Sequence, residues 1–150
     1  MREAIRLARE NVEVVSGGPF GAVVVRAGQI IGRGSNRVTA GNDPTAHAEI
    51  VAIRQACEAA KTWVLDDCEI YCSCEPCPMC LGAIYWARPD AIYFAANRMD
   101  AAAAGFDDEL FYSELEKPNE KRQLKLRPLL REEALQVFQN WADKPDKTEY

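Results

Sequence analysis

The chain has 150 residues, of which 23 are acidic and 18 basic, for a formal net charge of −5. A chain of this length is one domain by prior and buries roughly 68–70% of its unfolded surface, so neither disulfides nor a structural metal is required for stability. The lysines and arginines are scattered, which excludes the positive stripe by which a protein holds a nucleic acid. Nothing at the N-terminus reads as a secretory signal and no apolar run is long enough for a membrane. Of the six cysteines, four crowd between Cys72 and Cys80. That clustering suits metal binding in a reducing compartment better than a disulfide framework, so the expectation is a soluble cytoplasmic protein.

In chain order, Ile5, Ala8, Val12 and Val15 recur at helical spacing from Met1 to Val15, and Gly17-Gly18-Pro19 stops that helix. Residues 20–27 read as a buried strand, and Gly28-Gln29 turns the chain into a partner strand over Ile30 to Asn36. A second helix is predicted from Thr45 to Lys61, started by Asp43-Pro44-Thr45, with Ile50, Val51, Ile53 and Cys57 on its inner side. A third strand follows over 68–73, a third helix over Pro76 to Arg88 and a fourth strand over Ala91 to Ala96. A short helix at Asp108 to Leu115, a last strand at about 121–127 and a terminal helix at Arg131 to Ala142 complete the reading. This order predicts an α/β fold: a three-layer α/β/α sandwich around a central mixed five-stranded sheet with one antiparallel hairpin at its start. No repeat, linker or low-complexity stretch interrupts it, so residues 1–150 are expected to form a single domain.

The chemistry concentrates in two segments. The single histidine lies in Thr45-Ala46-His47-Ala48-Glu49, and thirty positions later comes Glu75-Pro76-Cys77-Pro78-Met79-Cys80. His47, Cys77 and Cys80 are three zinc-type ligands, which leaves a fourth position open, as in catalytic and not structural zinc sites. His47 and Glu49 would diverge by roughly 200° within one helix, so the metal must sit in front of the helix end. Two thiolates and a neutral imidazole leave zinc formally uncharged and still able to lower the pKa of a water from about 15.7 to about 7. Glu49, not needed as a ligand, is then the proton carrier. The rival from another class is a closed site of Cys72, Cys74, Cys77 and Cys80, a structural zinc module. It leaves His47-Ala48-Glu49 unexplained. A Cys-x-x-Cys redox role is a further alternative, while Cys57 and Cys68 read as small core hydrophobes.

His-x-Glu followed by Pro-Cys-x-x-Cys is the pattern of the zinc-dependent base deaminases. Together with Gly17-Gly18-Pro19-Phe20-Gly21-Ala22-Val23, Asn42-Asp43-Pro44-Thr45, Gly82-Ala83-Ile84-Tyr85-Trp86-Ala87-Arg88-Pro89 and Ala104-Gly105-Phe106-Asp107-Asp108, it makes the chain resemble the bacterial guanine deaminases of the cytidine-deaminase-like superfamily. The likeness runs along almost the whole chain and is weak only over 113–145. The resemblance implies one zinc per subunit and conversion of guanine and water to xanthine and ammonia. It implies that Asn36 hydrogen-bonds the purine, that Phe20 and Trp86 wall the base and that Ala48 contacts it. Asp108 would meet the exocyclic amine. Tyr150 would close the pocket, from the partner subunit of a homodimer that exchanges about residues 131–150.

Each of these residues also has an ordinary reading. Asn36 suits a turn, Phe20 a core strand, Asp107-Asp108 a helix N-cap and Tyr150 a frayed end. Leu81 to Ala87 is apolar on every side, and such a helix must be covered all round. That argues for a dimer without reference to the family. The runner-up activity is that of a tRNA adenosine deaminase, which should carry a basic tail; here the last ten residues set two lysines against Asp143, Asp146 and Glu149. Cytosine or another small aminated heterocycle is the third substrate class.

Overall fold

The computed structural model describes residues 1–14 and 17–149. Its contacts divide the chain after Tyr112 into two compact units. In the first, α1 (Arg2–Glu13) leads to the hairpin β1 (Gly21–Arg26) and β2 (Gln29–Ser35), then α2 (Val38–Gly41) and α3 (Ala48–Ala60). β3 (Cys68–Cys74), α4 (Pro78–Ala87), β4 (Ala91–Ala96), α5 (Arg98–Ala103) and the start of α6 (Glu109–Leu115) follow. The strand order is β2-β1-β3-β4. β1 pairs antiparallel with both β2 and β3, while β3 and β4 run parallel. Ala27 and Gly28 both take positive φ, 49° and 77°, at the hairpin turn, the backbone that matches the twist of two antiparallel strands joined by two residues.

Glycines on the strands fix how closely the helices approach. A Cβ on Gly32 would lie 2.3 Å from the Ala52 carbonyl oxygen, and one on Gly34 only 2.0 Å from that of Ala48. The backbone of α3 therefore rests directly on β2, through a buried face of Ala48, Ala52 and Ala56. Ile50, Val51, Ile53 and Cys57, expected on the inner side, are only half-buried; Ile53 and Cys57 pack at the core's margin. On the opposite face of the sheet Gly21 does the same for α1, where a Cβ would meet the Ala4 carbonyl oxygen at 2.2 Å. The buried residues of α1 are Ala4, Ala8 and Asn11. Ile5 and Val12, which carried the sequence periodicity, are exposed, and Val15 lies outside the described residues. In both helices, small side chains win the inner face because the facing strand offers no Cβ.

Between these helix layers β3 alternates cleanly, with Cys68, Ile70, Cys72 and Cys74 inward. Together with Ala22, Val24, Leu65 and Ile84 the first three make up the core. α4 buries Cys80, Ile84 and Ala87, while Tyr85 and Trp86 on its other side are exposed. The expected α/β/α layering is thus present, with two short helices, α2 and α5, that the sequence reading lacked.

The second unit holds the end of α6, a 3₁₀ turn (Asn119–Lys121) and α7 (Arg131–Ala142). The sheet has four strands, not the five expected: the stretch at about 121–127 forms none. Its Leu124 and Leu126 alternate as strand residues would, but alternation needs a ladder partner, and both side chains are exposed. No described residue from Ser113 onward is buried, and α7 presents Val137 and Phe138 to solvent. No described helix is long and apolar enough to cross a membrane.

Candidate active site

Two helix starts build the site. His47 is the N-cap residue of α3 and Cys77 that of α4, both in extended backbone, and neither side chain caps its own helix. Pro78 at the first position of α4 suits that helix start, where a missing N–H costs nothing. Freed from capping, the two side chains converge. His47 Nδ1 lies 3.6 Å from Cys77 Sγ and 3.5 Å from Cys80 Sγ, and all three ligand atoms fall within 4.8 Å of one another. Zinc bonds of about 2.3 Å to sulfur and about 2.05 Å to nitrogen at tetrahedral angles place the nitrogen roughly 3.6 Å from each sulfur. The donor set fits zinc in type and in spacing. The rival four-cysteine site is not assembled: among the described residues this is the only cluster of three or more such groups, while Cys72 faces the core.

Glu49, one turn position beyond Ala48, is buried, and its Oε2 lies 3.5 Å from Cys80 Sγ. Burial pushes its carboxyl above the usual range. Cys77 is held down to about 4, first by the hydrogen bond from Cys80 and, against burial, by His47. Cys80 moves the other way, through Cys77, burial and the Glu49 charge. His47 is raised, first by its contact with Cys77. The unpaired N–H groups at the two helix starts add positive partial charge in front of the thiolates.

The centre opens into a cavity of about 370 Å³, within the range of small-molecule sites. Six of the expected residues line it: His47, Glu49, Cys77, Asn36, Phe20 and Asp108. Asn36 is buried, and its Oδ1 accepts from the N–H groups of Gly18 (3.3 Å) and Val38 (3.2 Å). Asn36 thus holds a turn through Oδ1 and lines the cavity as well. Of the paired aspartates, Asp107 accepts the N–H of Glu109, the first residue of α6, at 2.9 Å. Asp108 is free for the pocket, and burial raises its carboxyl. Sequence reasoning missed Phe106 as a wall: its ring meets Phe20 edge-on, centroids 4.9 Å apart. Its signal was the Gly105-Phe106-Asp107-Asp108 segment, of which only the aspartate had been given a role. Arg98 and Glu75 also line the cavity, and Glu75 Oε2 accepts the Arg98 N–H at 3.0 Å.

Two expected contacts do not line the cavity, and a third lies outside the described residues. Trp86 does not line the cavity; it sits on the outer side of α4, 64% exposed. Ala48 is buried against Gly34. Tyr150 lies outside the described residues.

A zinc centre of one histidine and two cysteines at helix starts, with a buried glutamate beside it, on a mixed sheet between helix layers, defines a class, and the sequence comparison agrees. The chain belongs to the family described as the cytidine and deoxycytidylate deaminase zinc-binding region, whose profile matches residues 1–96. Within it, the chain is similar to the guanine deaminase of Bacillus subtilis, at 53% identity over 150 residues that span all of this chain and 96% of that one. The X-ray structure of guanine deaminase from that organism superimposes with a TM-score of 0.96 at 54% identity, over 99% of this chain and 95% of the other. Similarity to the tRNA-specific adenosine deaminase of Aquifex aeolicus is 44% over 96 residues, 64% of this chain and 60% of that one.

Proposed function

We infer that this chain hydrolyses guanine to xanthine and ammonia. The observation that carries the reading is its 53% identity to a guanine deaminase from end to end, on a site whose zinc ligands and proton carrier open into one base-sized cavity. The tRNA reading is disfavoured by the acidic net charge of −5 and by a match to the Aquifex relative over 64% of the chain only.

His47, Cys77 and Cys80 would hold the zinc, one ion per subunit. Zinc, when bound, supplies the Lewis acidity that makes water a nucleophile at neutral pH. Glu49 would carry the two protons of the attacking water in turn: the first to a ring nitrogen as the C–O bond forms, the second, from the resulting hydroxyl, to the amine as the exocyclic C–N bond breaks and ammonia leaves. A carboxyl raised by burial is matched to both taking and giving a proton. Asn36 donates from Nδ2 to an acceptor on the base, since its Oδ1 is occupied. The Ala48 N–H, among the first of α3 and without an intrahelical partner, adds a donor near the ligands. Phe20 and Phe106 exclude water beside the ring, and Asp108 accepts from the exocyclic amine.

The rest of the reading concerns assembly. We propose a cytoplasmic homodimer of single-domain subunits, in which the all-apolar α4 meets the partner through its exposed Tyr85. The exposed apolar residues of α7 support exchange of about residues 131–150, with Tyr150 closing the partner's pocket. Release of ammonia from guanine, adenine, cytosine, cytidine and a tRNA anticodon stem-loop tests the substrate. Turnover of guanine far above the others is expected. Preference for the stem-loop overturns the assignment.

A further inference from the structure

Asn11 is a buried polar residue that the zinc chemistry does not use. It sits in α1, 3% exposed, on a face otherwise made of Ala4 and Ala8. Asparagine is a weak helix former because its amide competes for backbone groups, and buried amides persist only where they are hydrogen-bonded. Here Nδ2 donates to two carbonyl oxygens outside the helix, those of Gly18 and Asn36, each at 2.8 Å. The Gly18 N–H in turn bonds Asn36 Oδ1. The three residues thus close a ring of hydrogen bonds, two of whose members, Gly18 and Asn36, line the cavity.

The ring leaves little slack. A Cβ on Gly17 would fall 2.2 Å from the Asn36 carbonyl oxygen and 2.8 Å from Oδ1. One on Gly18 would touch the rings of Phe20 at 3.0 Å and Phe106 at 3.2 Å. Every group that faces the base from this side therefore leans on the segment that Asn11 holds. With Oδ1 bound to two backbone N–H groups, Asn36 has one free face, its Nδ2, which has no partner among the described residues. The direction of that donor depends on where the Asn36 backbone is anchored, and Asn11 anchors it.

We propose that Asn11 is a positioning residue for base recognition: from outside the cavity it fixes Asn36 so that only the amide donor is presented to the substrate. The proposal rests on the reading of Asn36 as a contact to the base. A double-mutant cycle tests it, with KM, kcat and zinc content measured on the zinc-loaded full chain for wild type, Asn11→Ala, Asn36→Ala and the double variant. Asn11→Ala should raise KM for guanine about tenfold, near one well-placed hydrogen bond, with kcat within about twofold and zinc unchanged. In the Asn36→Ala background the same substitution should raise KM no further, whereas a merely structural role would multiply the two effects. Should Asn11→Ala not fold, Asn11→Ser leaves room for a bridging water and is read the same way. An unchanged KM in the folded variant, or fully multiplicative effects, overturns the proposal. Wild-type inactivity on guanine overturns the substrate reading instead, and the cycle is then run on the base that is turned over.

Discussion

Gly34→Ala asks whether the contact of α3 with the sheet sets the metal site. The new methyl would sit 2.0 Å from the Ala48 carbonyl oxygen and 2.6 Å from the Ala52 nitrogen, where ordinary contact begins at 3.4 Å. Both atoms are backbone, so no side chain can turn aside, and α3 must retreat from β2 by more than about 1 Å. Overpacking of this kind costs about 1–3 kcal/mol, a fall in Tm of roughly 2–4 °C per kcal/mol at this chain length. The functional effect should be larger than the stability effect, because His47 and Glu49 flank Ala48. A displacement near 1 Å at reacting groups costs about 10²-fold. Zinc content, thermal melting and ammonia release from guanine are measured together, with Gly41→Ala as control, since nothing lies within 4 Å of a Cβ there. The control should keep zinc and turnover. If Gly34→Ala holds a full complement of zinc and turns over within threefold of wild type, the glycine contact does not place the site.

Three further outcomes are expected. Glu49→Gln should keep the fold and the zinc yet lose about 10²–10⁴ in kcat, the range of general acid–base catalysis; lost zinc would make Glu49 a ligand instead. Cys80→Ala should lower both metal content and activity, and a variant with full zinc and rate would refute the ligand set. Truncation after Pro145 should cut turnover while leaving zinc and melting temperature nearly unchanged. Mixed under subunit exchange with Glu49→Gln, the truncated chain should regain activity if the partner's tail closes the pocket; demonstrated heterodimers without rescue would place the tail in cis.

The zinc ligands were legible because each half of the site is local. His47 and Cys77 each open a helix, and the sequence around a helix start carries its own signals. Strands β1 to β4 were legible for a similar reason, as short apolar or alternating runs closed by turn residues. The inner faces of α1 and α3 were not. The sequence offers large apolar residues at helical spacing, but the sheet selects Ala4, Ala8, Ala48, Ala52 and Ala56, because glycines on β1 and β2 admit the helix backbone itself. That choice lies in the pairing of two distant segments and in neither alone. Asn11 was invisible for the same reason. The α5 helix did have a legible start: Asn97 and Asp100 form a capping box, a signal that six residues of helix made easy to pass over. The strand expected at about 121–127 shows the reverse error, a correct alternation with no ladder to join.

The distribution of the site over regular and irregular backbone has an evolutionary consequence. His47 and Cys77 occupy the N-cap positions of helices, Glu49 and Cys80 lie inside them, and glycine contacts clamp α3 to the sheet. Phe20, Asn36, Phe106 and Asp108, four of the residues that wall the cavity, fall in segments that are neither helix nor strand. Irregular segments tolerate substitution and changes of length far better than packed elements do. Selection can thus remodel the walls while the hydrolytic centre stays intact. A scaffold divided in this way can hand one reaction to many aminated rings, and relatives named for free guanine and for adenosine in tRNA are what such a division would produce.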